Sequence, residues 1–424
     1  MERFTSLLGI AVIIGLAWLM SSHKKRFPVR IVVCGLLLQF AFAVLILRTP
    51  FGASVFALVD QVFVSLLNCV DSGAEFLFGS SFKDHFFAFR VLPTIIFFSA
   101  FMSIFYYFGV IQKVVGALAI VMQKTLGTSG AETLSSAANI FVGQTEAPLV
   151  IRPYISTMTR SELNAVMVGG FATMAGGVLG ALSAMGINAG DLLSASVISA
   201  PGALLLAKVM QPEVDTPRTL GHVGVDVDDD SVNVLEAIAN GTTGGLQLAL
   251  NVGAMLIVFL ALIAVVNALL GLAGEGYWWA AERMGQAVPD STTAWTLEGI
   301  LGGLFAPMAW LIGIESGDCR AAGQLMGLKM ATNEFVAYGR LAELSVAGTD
   351  GIAAGAEAIS ARTRQIMTYA LCGFANFSSI GIQLGGIGGI APERRADLAT
   401  LGLRAMIGGT LAAFMTACIA GLLI

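Results

Sequence analysis

Apolar runs long enough to cross a lipid bilayer recur along the chain, and four apolar segments are broken by polar or glycine-rich clusters. A helix rises 1.5 Å per residue, so about 20 apolar residues are needed to cross a hydrocarbon core of ~30 Å. Backbone that leaves the helix at that depth survives only where protein or a water-filled cavity supplies hydrogen-bond partners. The breaks must therefore face protein or water while the uninterrupted runs face lipid. Composition supports this: of 424 residues 56% are hydrophobic and only 12% charged, against about 25% charged in soluble domains. The class implied is an all-α integral membrane protein.

The first run, Phe4 to Met20, is followed at once by His23, Lys24, Lys25, Arg26 and Arg30. A cleaved leader carries its charges ahead of the apolar stretch, so this run reads as a retained helix. The positive-inside rule puts the basic turn in the cytoplasm and the N-terminus outside, with Ile31 to Leu47 as the second span. Phe51 to Phe78 is interrupted by Asp60, Asn68, Asp71 and Glu75 and reads as helices along the interface. Phe86 to Ile111 is a clear span, and Gln112 to Leu126 an amphipathic one.

From Ser129 the pattern changes. A short helical run ends at Gly143-Gln144-Thr145-Glu146-Ala147-Pro148, and a second short run reaches about Met158. Neither piece crosses a bilayer alone, so the pair is a re-entrant hairpin over about 129–158. A span at 164–185 follows, weakened at Ala175-Gly176-Gly177, then a span at 192–210. Residues 211–243, with Asp226, Asp228, Asp229 and Asp230, read as a solvated acidic cytoplasmic loop. Residues 244–315 supply the span Leu246 to Leu272, an aromatic belt at Tyr277, Trp278 and Trp279, and an interfacial helix. The earlier theme then returns: a hairpin over about 316–344 broken at Ala331-Thr332-Asn333-Glu334, a span at 364–384 broken at 373–379, and a last span at 398–424.

Blocks 129–210 and 316–424 thus share one order of parts, and the orientation above inverts one relative to the other. Matching broken segments in two inverted halves mark the binding site of a secondary transporter. Residues 1–112 are expected to form a scaffold with 244–315, while 113–210 and 316–424 form a moving unit.

Glu146 and Glu334 occupy equivalent breaks, and a carboxylate at membrane depth is costly enough to need a reason. Each could bind a ligand, cap a helix or pair with Arg152 or Arg340. Gln144, Thr145, Asn376 and Ser379 offer the donors and acceptors that a nucleobase edge and sugar hydroxyls require; interhelical hydrogen bonding is their other reading. Asn139 and Thr173 carry oxygens suited to a hard cation. Phe374 could stack on a flat ring or simply pack.

At these residues the sequence resembles the concentrative nucleoside transporter family. The matching stretches are Asn139-Ile-Phe-Val-Gly-Gln-Thr-Glu-Ala-Pro148, Thr332-Asn-Glu-Phe-Val336 and Gly373-Phe-Ala-Asn-Phe-Ser-Ser-Ile-Gly381. The resemblance implies a homotrimer with an elevator-type transport domain sliding against a static scaffold. It also implies that Gln144, Thr145 and Glu146 face the base with Val178 packed beside it and Phe374 near it, and that Glu334, Asn376 and Ser379 hold the ribose. The family's sodium site maps to the side chains of Asn139 and Thr173 and the carbonyls of Val142 and Met174. Threonine stands at 173 where the family pattern has serine. The activity implied is sodium-coupled nucleoside uptake, with a proton as the alternative coupling ion and no other cofactor. The location implied is a bacterial-type inner membrane.

Other classes fit less well. Net charge of −5 gives no basic stripe for nucleic acid. The five cysteines stand far apart, without a disulfide or zinc spacing. A membrane enzyme needs a nucleophile with its base or a metal cluster. His23, His85 and His222 lie outside the breaks, and neither HExxH nor GxSxG occurs. A passive channel would have no use for paired hairpins.

Overall fold

The computed structural model describes residues 2–221, 231–284, 295–346 and 359–424. Every regular element among them is helical, apart from one isolated bridge between Ser129 and Leu220. Seven helical stretches are long and apolar enough to cross a membrane. The acidic run at 226–230 and His222 lie outside the described residues.

The basic turn separates α1 (Glu2–Leu19) from α2 (Val29–Arg48). Thr49 then starts α3 (Pro50–Phe78), its hydroxyl accepting from the Gly52 N–H at 3.0 Å with Pro50 at the first helical position. The polar residues in this stretch suggested separate interfacial helices, yet α3 is one continuous helix of 29 residues. Its carboxylates are used within the fold. Asp71 pairs with Arg90 at 3.0 Å, and Asp60 accepts from the backbone N–H of Ala189 at 3.0 Å.

A π-type turn at Phe87–Val91 leads into α4 (Leu92–Tyr107). Gly109, at φ 69°, ends that span and admits α5 (Val110–Leu126). The first hairpin consists of α6 (Gly130–Ala138), an unwound tip, a 3-10 turn at Ala147–Ile151 and α7 (Arg152–Ile155). The next span is broken into α8 (Arg160–Ala172) and α9 (Gly176–Ala184), followed by α10 (Ala189–Met210). The second half runs through α11 (Val234–Arg283), α12 (Leu297–Leu311), α13 (Cys319–Ala331), α14 (Glu334–Val346), α15 (Ala361–Ala370), α16 (Phe377–Ile390) and α17 (Arg395–Leu423).

The order of two helices, hairpin, broken span and final span therefore occurs twice, as α4–α10 and α11–α17. The repeat is longer than the sequence blocks suggested. The expected loop at 211–243 is also corrected, because α11 begins at Val234 and continues for 50 residues through the aromatic belt. Asn233 caps it by accepting from the Glu236 N–H at 3.0 Å. At about 75 Å, α11 exceeds any bilayer core.

Burial separates core from perimeter. The α8–α9 span, α10 and α17 are 94%, 89% and 83% buried over their apolar windows, against 11% for α3 and 6% for the α11 stretch. α1 and α2 pack chiefly on α10 and α17, whereas α4 pairs along α11.

One end of this core is pinned by charge. Capping boxes Ser129/Glu132 and Thr159/Glu162 begin α6 and α8 side by side, with the Ser129 hydroxyl donating to Glu162. Lys208, buried at the end of α10, reaches Glu132 at 2.6 Å, Glu213 at 3.1 Å and the Ser161 hydroxyl at 3.0 Å. Removing one partner of a buried ion pair costs roughly 3–5 kcal/mol because it strands the other. Lys208→Met should therefore lower the thermal unfolding midpoint in detergent strongly, and adding Glu132→Gln should restore part of it. An unchanged midpoint for Lys208→Met would show that this cluster does not anchor the hairpin root.

Candidate functional site

Four helix interruptions meet at the centre of this core. The first occupies the tip after α6, where Asn139 to Glu146 leave helical geometry. The second is Thr173–Ala175 between α8 and α9, and the two are joined by the Gly176 N–H donating to the Phe141 carbonyl at 3.0 Å. The third, Thr332–Asn333, is brief: Asn333 accepts from the Val336 N–H at 3.1 Å and so restarts the helix as α14. The fourth, Leu371–Asn376, separates α15 from α16, which Asn376 caps by accepting from the Ser379 N–H at 2.9 Å.

Glycine lets the breaks approach one another. Gly373 sits at φ 94°, and a Cβ there would collide with the backbone of Phe171 and Ala172, the last residues before the second break. On the opposite side the buried Lys329 of α13 donates to the freed Cys372 carbonyl at 2.7 Å, and the Tyr338 hydroxyl donates to the Thr368 carbonyl at 2.7 Å. Both hairpins are thus bonded to the broken span of their own half.

The breaks enclose a cavity of about 360 Å³. Gln144, Thr145, Glu146, Val178, Glu334, Phe374, Asn376 and Ser379, all eight residues expected around a nucleoside, line it together. Asn376 donates to the Glu334 carboxylate at 3.2 Å, so the two form one polar wall. Glu334 begins α14, where the helix dipole favours its negative charge. Of the alternative readings of the two glutamates, an arginine partner finds no support among the described residues. Neither pairs with an arginine, and Arg340 bonds Glu343 instead at 2.6 Å. Gly143 has a local role: its missing Cβ leaves the space taken by the Glu146 carboxylate.

The expected cation ligands lie on the first two interruptions, which the Gly176–Phe141 bond holds together. Asn139 is buried, its Nδ2 donates to the Ser135 carbonyl at 3.0 Å, and its carboxamide lies against Gly169. Among the described residues its buried Oδ1 has no hydrogen-bond partner, and a carboxamide oxygen of this kind suits a hard cation. Thr173, four residues on from Gly169, donates to that residue's carbonyl at 2.9 Å and leaves its hydroxyl lone pairs free to ligate. Met174, in the second break, is held by its N–H donating to the Ser196 hydroxyl at 3.3 Å, and Val142 closes the first tip.

Sequence reasoning missed the wall that α11 supplies, with Gly244, Gln247, Asn251 and Met255 facing the cavity. Its signal was present: two carboxamides four residues apart, on one face of an otherwise apolar span. It also missed Gln383 of α16, which donates to the Gln144 side-chain oxygen at 3.0 Å.

Comparison with known proteins identifies the family. The family model described as "Na+ dependent nucleoside transporter C-terminus" matches residues 191–421, its N-terminal counterpart residues 8–81, and a "Nucleoside recognition" gate model residues 88–188. The chain belongs to the Na+-dependent, or concentrative, nucleoside transporter family. An uncharacterized transporter of Haemophilus influenzae is 44% identical over all of this chain and 98% of its own length. The sodium/nucleoside cotransporter 2 of Rattus norvegicus is 41% identical, and the chain spans 63% of it. Against solved structures, CNTnw in an inward-facing substrate-bound state superposes with a TM-score of 0.87 at 41% identity, covering 100% of this chain and 98% of that one. A CNTnw variant in an outward-facing state gives 0.88 at 40%, with the same coverage of both chains. As a member of this family the chain is a multi-pass membrane transporter and not an enzyme.

The contact between the two broken spans can be tested directly. Gly186, at φ 85° with open space around it, should tolerate alanine at a cost of about 1–2 kcal/mol. Gly373→Ala meets backbone as well, and should lose far more folded protein on size-exclusion chromatography in detergent. Equal behaviour of the two variants would mean that the breaks do not depend on close approach.

Proposed function

We propose that the chain is a secondary active transporter that couples inward movement of a nucleoside to a sodium gradient. The observation that carries this reading is the single cavity in which the tip of one hairpin, the start of the other and both broken spans present hydrogen-bonding side chains. Gln144, Thr145 and Glu146 face the base, with Val178 and Phe374 as its apolar walls. Glu334, Asn376 and Ser379 receive the ribose hydroxyls. The match to a Na+ dependent nucleoside transporter family and to a sodium/nucleoside cotransporter supports the substrate and the ion.

Sodium is a co-substrate in this scheme. Asn139 Oδ1, the Thr173 hydroxyl and the carbonyls of Val142 and Met174 would hold it, and the unpartnered buried oxygen of Asn139 supports that assignment. Binding there orders the tip that carries Gln144 to Glu146, so ion and nucleoside strengthen each other by the same factor. Moving one charge through 100 mV supplies about 2.3 kcal/mol for uptake.

Transport proceeds by elevator-type alternating access in a homotrimer. We assign α1 and α2 to the moving unit, since they pack on α10 and α17; α4 and α11, paired along their lengths, form the scaffold. The apolar faces of α3 and α11 that lie outside the chain's own core are available to lipid and to neighbouring copies. The N-terminus faces outward in a bacterial-type inner membrane, which agrees with the basic residues at the α1–α2 turn.

Uptake of labelled uridine into proteoliposomes tests the whole scheme. Accumulation above equilibrium with a sodium gradient alone is expected; accumulation with a proton gradient alone would replace sodium by a proton. Saturable counterflow is expected as well, and its absence would leave a channel as the better account. For the site itself, Glu334→Gln should weaken uridine at least tenfold while affecting uracil far less, and equal losses would remove Glu334 from the ribose. Gly143→Ala should weaken uridine comparably by displacing the Glu146 carboxylate, with an unchanged melting midpoint.

A further inference from the structure

The carboxamide of Gln383 has only one orientation open to it. Its Nε2 donates to the Met167 carbonyl at 3.1 Å and to the Gln144 Oε1 at 3.0 Å. A backbone carbonyl only accepts, so the group facing Met167 must be the NH2. Flipping the amide would forfeit both bonds, although Gln383 Oε1 has no partner where it is. The second N–H then requires an acceptor, which fixes the side-chain oxygen of Gln144 toward Gln383. What Gln144 presents to the cavity is therefore its own NH2.

The surroundings hold this pair in place. Gln383 is fully buried on α16. A Cβ at Gly170 would collide with both Gln383 Nε2 and Gln144 Cβ, and one at Gly386, a turn further along α16, would collide with Thr145. The second half of the protein thus grips the hairpin tip of the first half through a face made of one glutamine and one glycine.

A cavity wall with a donor at Gln144 and a carboxylate acceptor at Glu146, two residues away, reads the edge of a base. We propose that Gln383 is a positioning residue that commits the site to bases offering a carbonyl next to a ring N–H: uracil and thymine among pyrimidines, hypoxanthine and guanine among purines. Cytosine and adenine present the reverse pair, an amino donor beside a ring-nitrogen acceptor, and meet a donor with a donor. Buried polar groups left unpaired in this way reject a ligand strongly. The inference rests on the nucleoside reading above and adds the chemical class of base.

The test is equilibrium binding to the purified protein in nanodiscs with sodium present. Wild type should bind uridine at least about tenfold tighter than cytidine, and inosine tighter than adenosine by a similar factor. Gln383→Met keeps the bulk but releases Gln144, so the uridine-to-cytidine ratio should fall toward one. Gln383→Glu offers only acceptors, which turns the Gln144 NH2 away from the cavity, and the ratio should fall further or invert. A merely structural role would weaken both nucleosides together and leave the ratio unmoved. An unmoved ratio in either folded variant, or a wild-type ratio near one for both base pairs, overturns the proposal. The wild-type comparison stands even if neither variant folds. Absence of any nucleoside binding to wild type would instead overturn the functional reading beneath it.

Discussion

Unwound backbone inside a membrane protein has to be satisfied by the protein itself, and this requirement organises the whole molecule. The interruptions here are closed partly by bonds to one another's surroundings and partly by caps at their own ends. The Phe141 carbonyl takes the Gly176 N–H, the Cys372 carbonyl takes the Lys329 ammonium, and the start of α16 is capped by Asn376. Because the partners of one break lie at or near another, the four interruptions cannot be scattered. The cavity is the space left when they meet.

The same requirement explains what the amino-acid sequence revealed and what it concealed. The breaks were legible because carboxylates, carboxamides and paired glycines are expensive in apolar surroundings and stand out there. The second interruption falls at Thr173–Ala175, beside the Ala175-Gly176-Gly177 weakness read from the sequence. Polar residues consumed by tertiary contacts misled for the same reason. Asp60 and Asp71 suggested that 51–78 should be interrupted into separate helices, whereas they bond Ala189 and Arg90 and leave α3 unbroken. Pairings such as Gln383 with Gln144 were illegible because 239 residues separate them. The glycine at 170 that makes room for the pair looks like any other glycine in the chain.

The site is jointly owned. Hairpin tip residues Gln144 to Glu146 belong to the first half, yet α16 of the second half supports Gln144 and Thr145 from behind. The wall proposed for the ribose belongs to the second half, with Glu334 and Asn376 bonded to each other. Neither half alone would form the cavity, which gives a physical reason for a duplicated architecture whose copies interlock instead of lying side by side. α11 adds a third wall, with Gln247 and Asn251 reaching in from the helix that pairs with α4.

The two hairpins have diverged in the length of chain they leave uncoiled. In the first, residues 139–146 hang between helices, with an asparagine oxygen that lacks a partner among the described residues. In the second, two residues suffice before Asn333 restarts the helix, and a lysine side chain already serves the neighbouring carbonyl. A long uncoiled jaw therefore opposes a short one. Under the proposed coupling, dependence on a dissolved salt falls on the side with the longer uncoiled stretch.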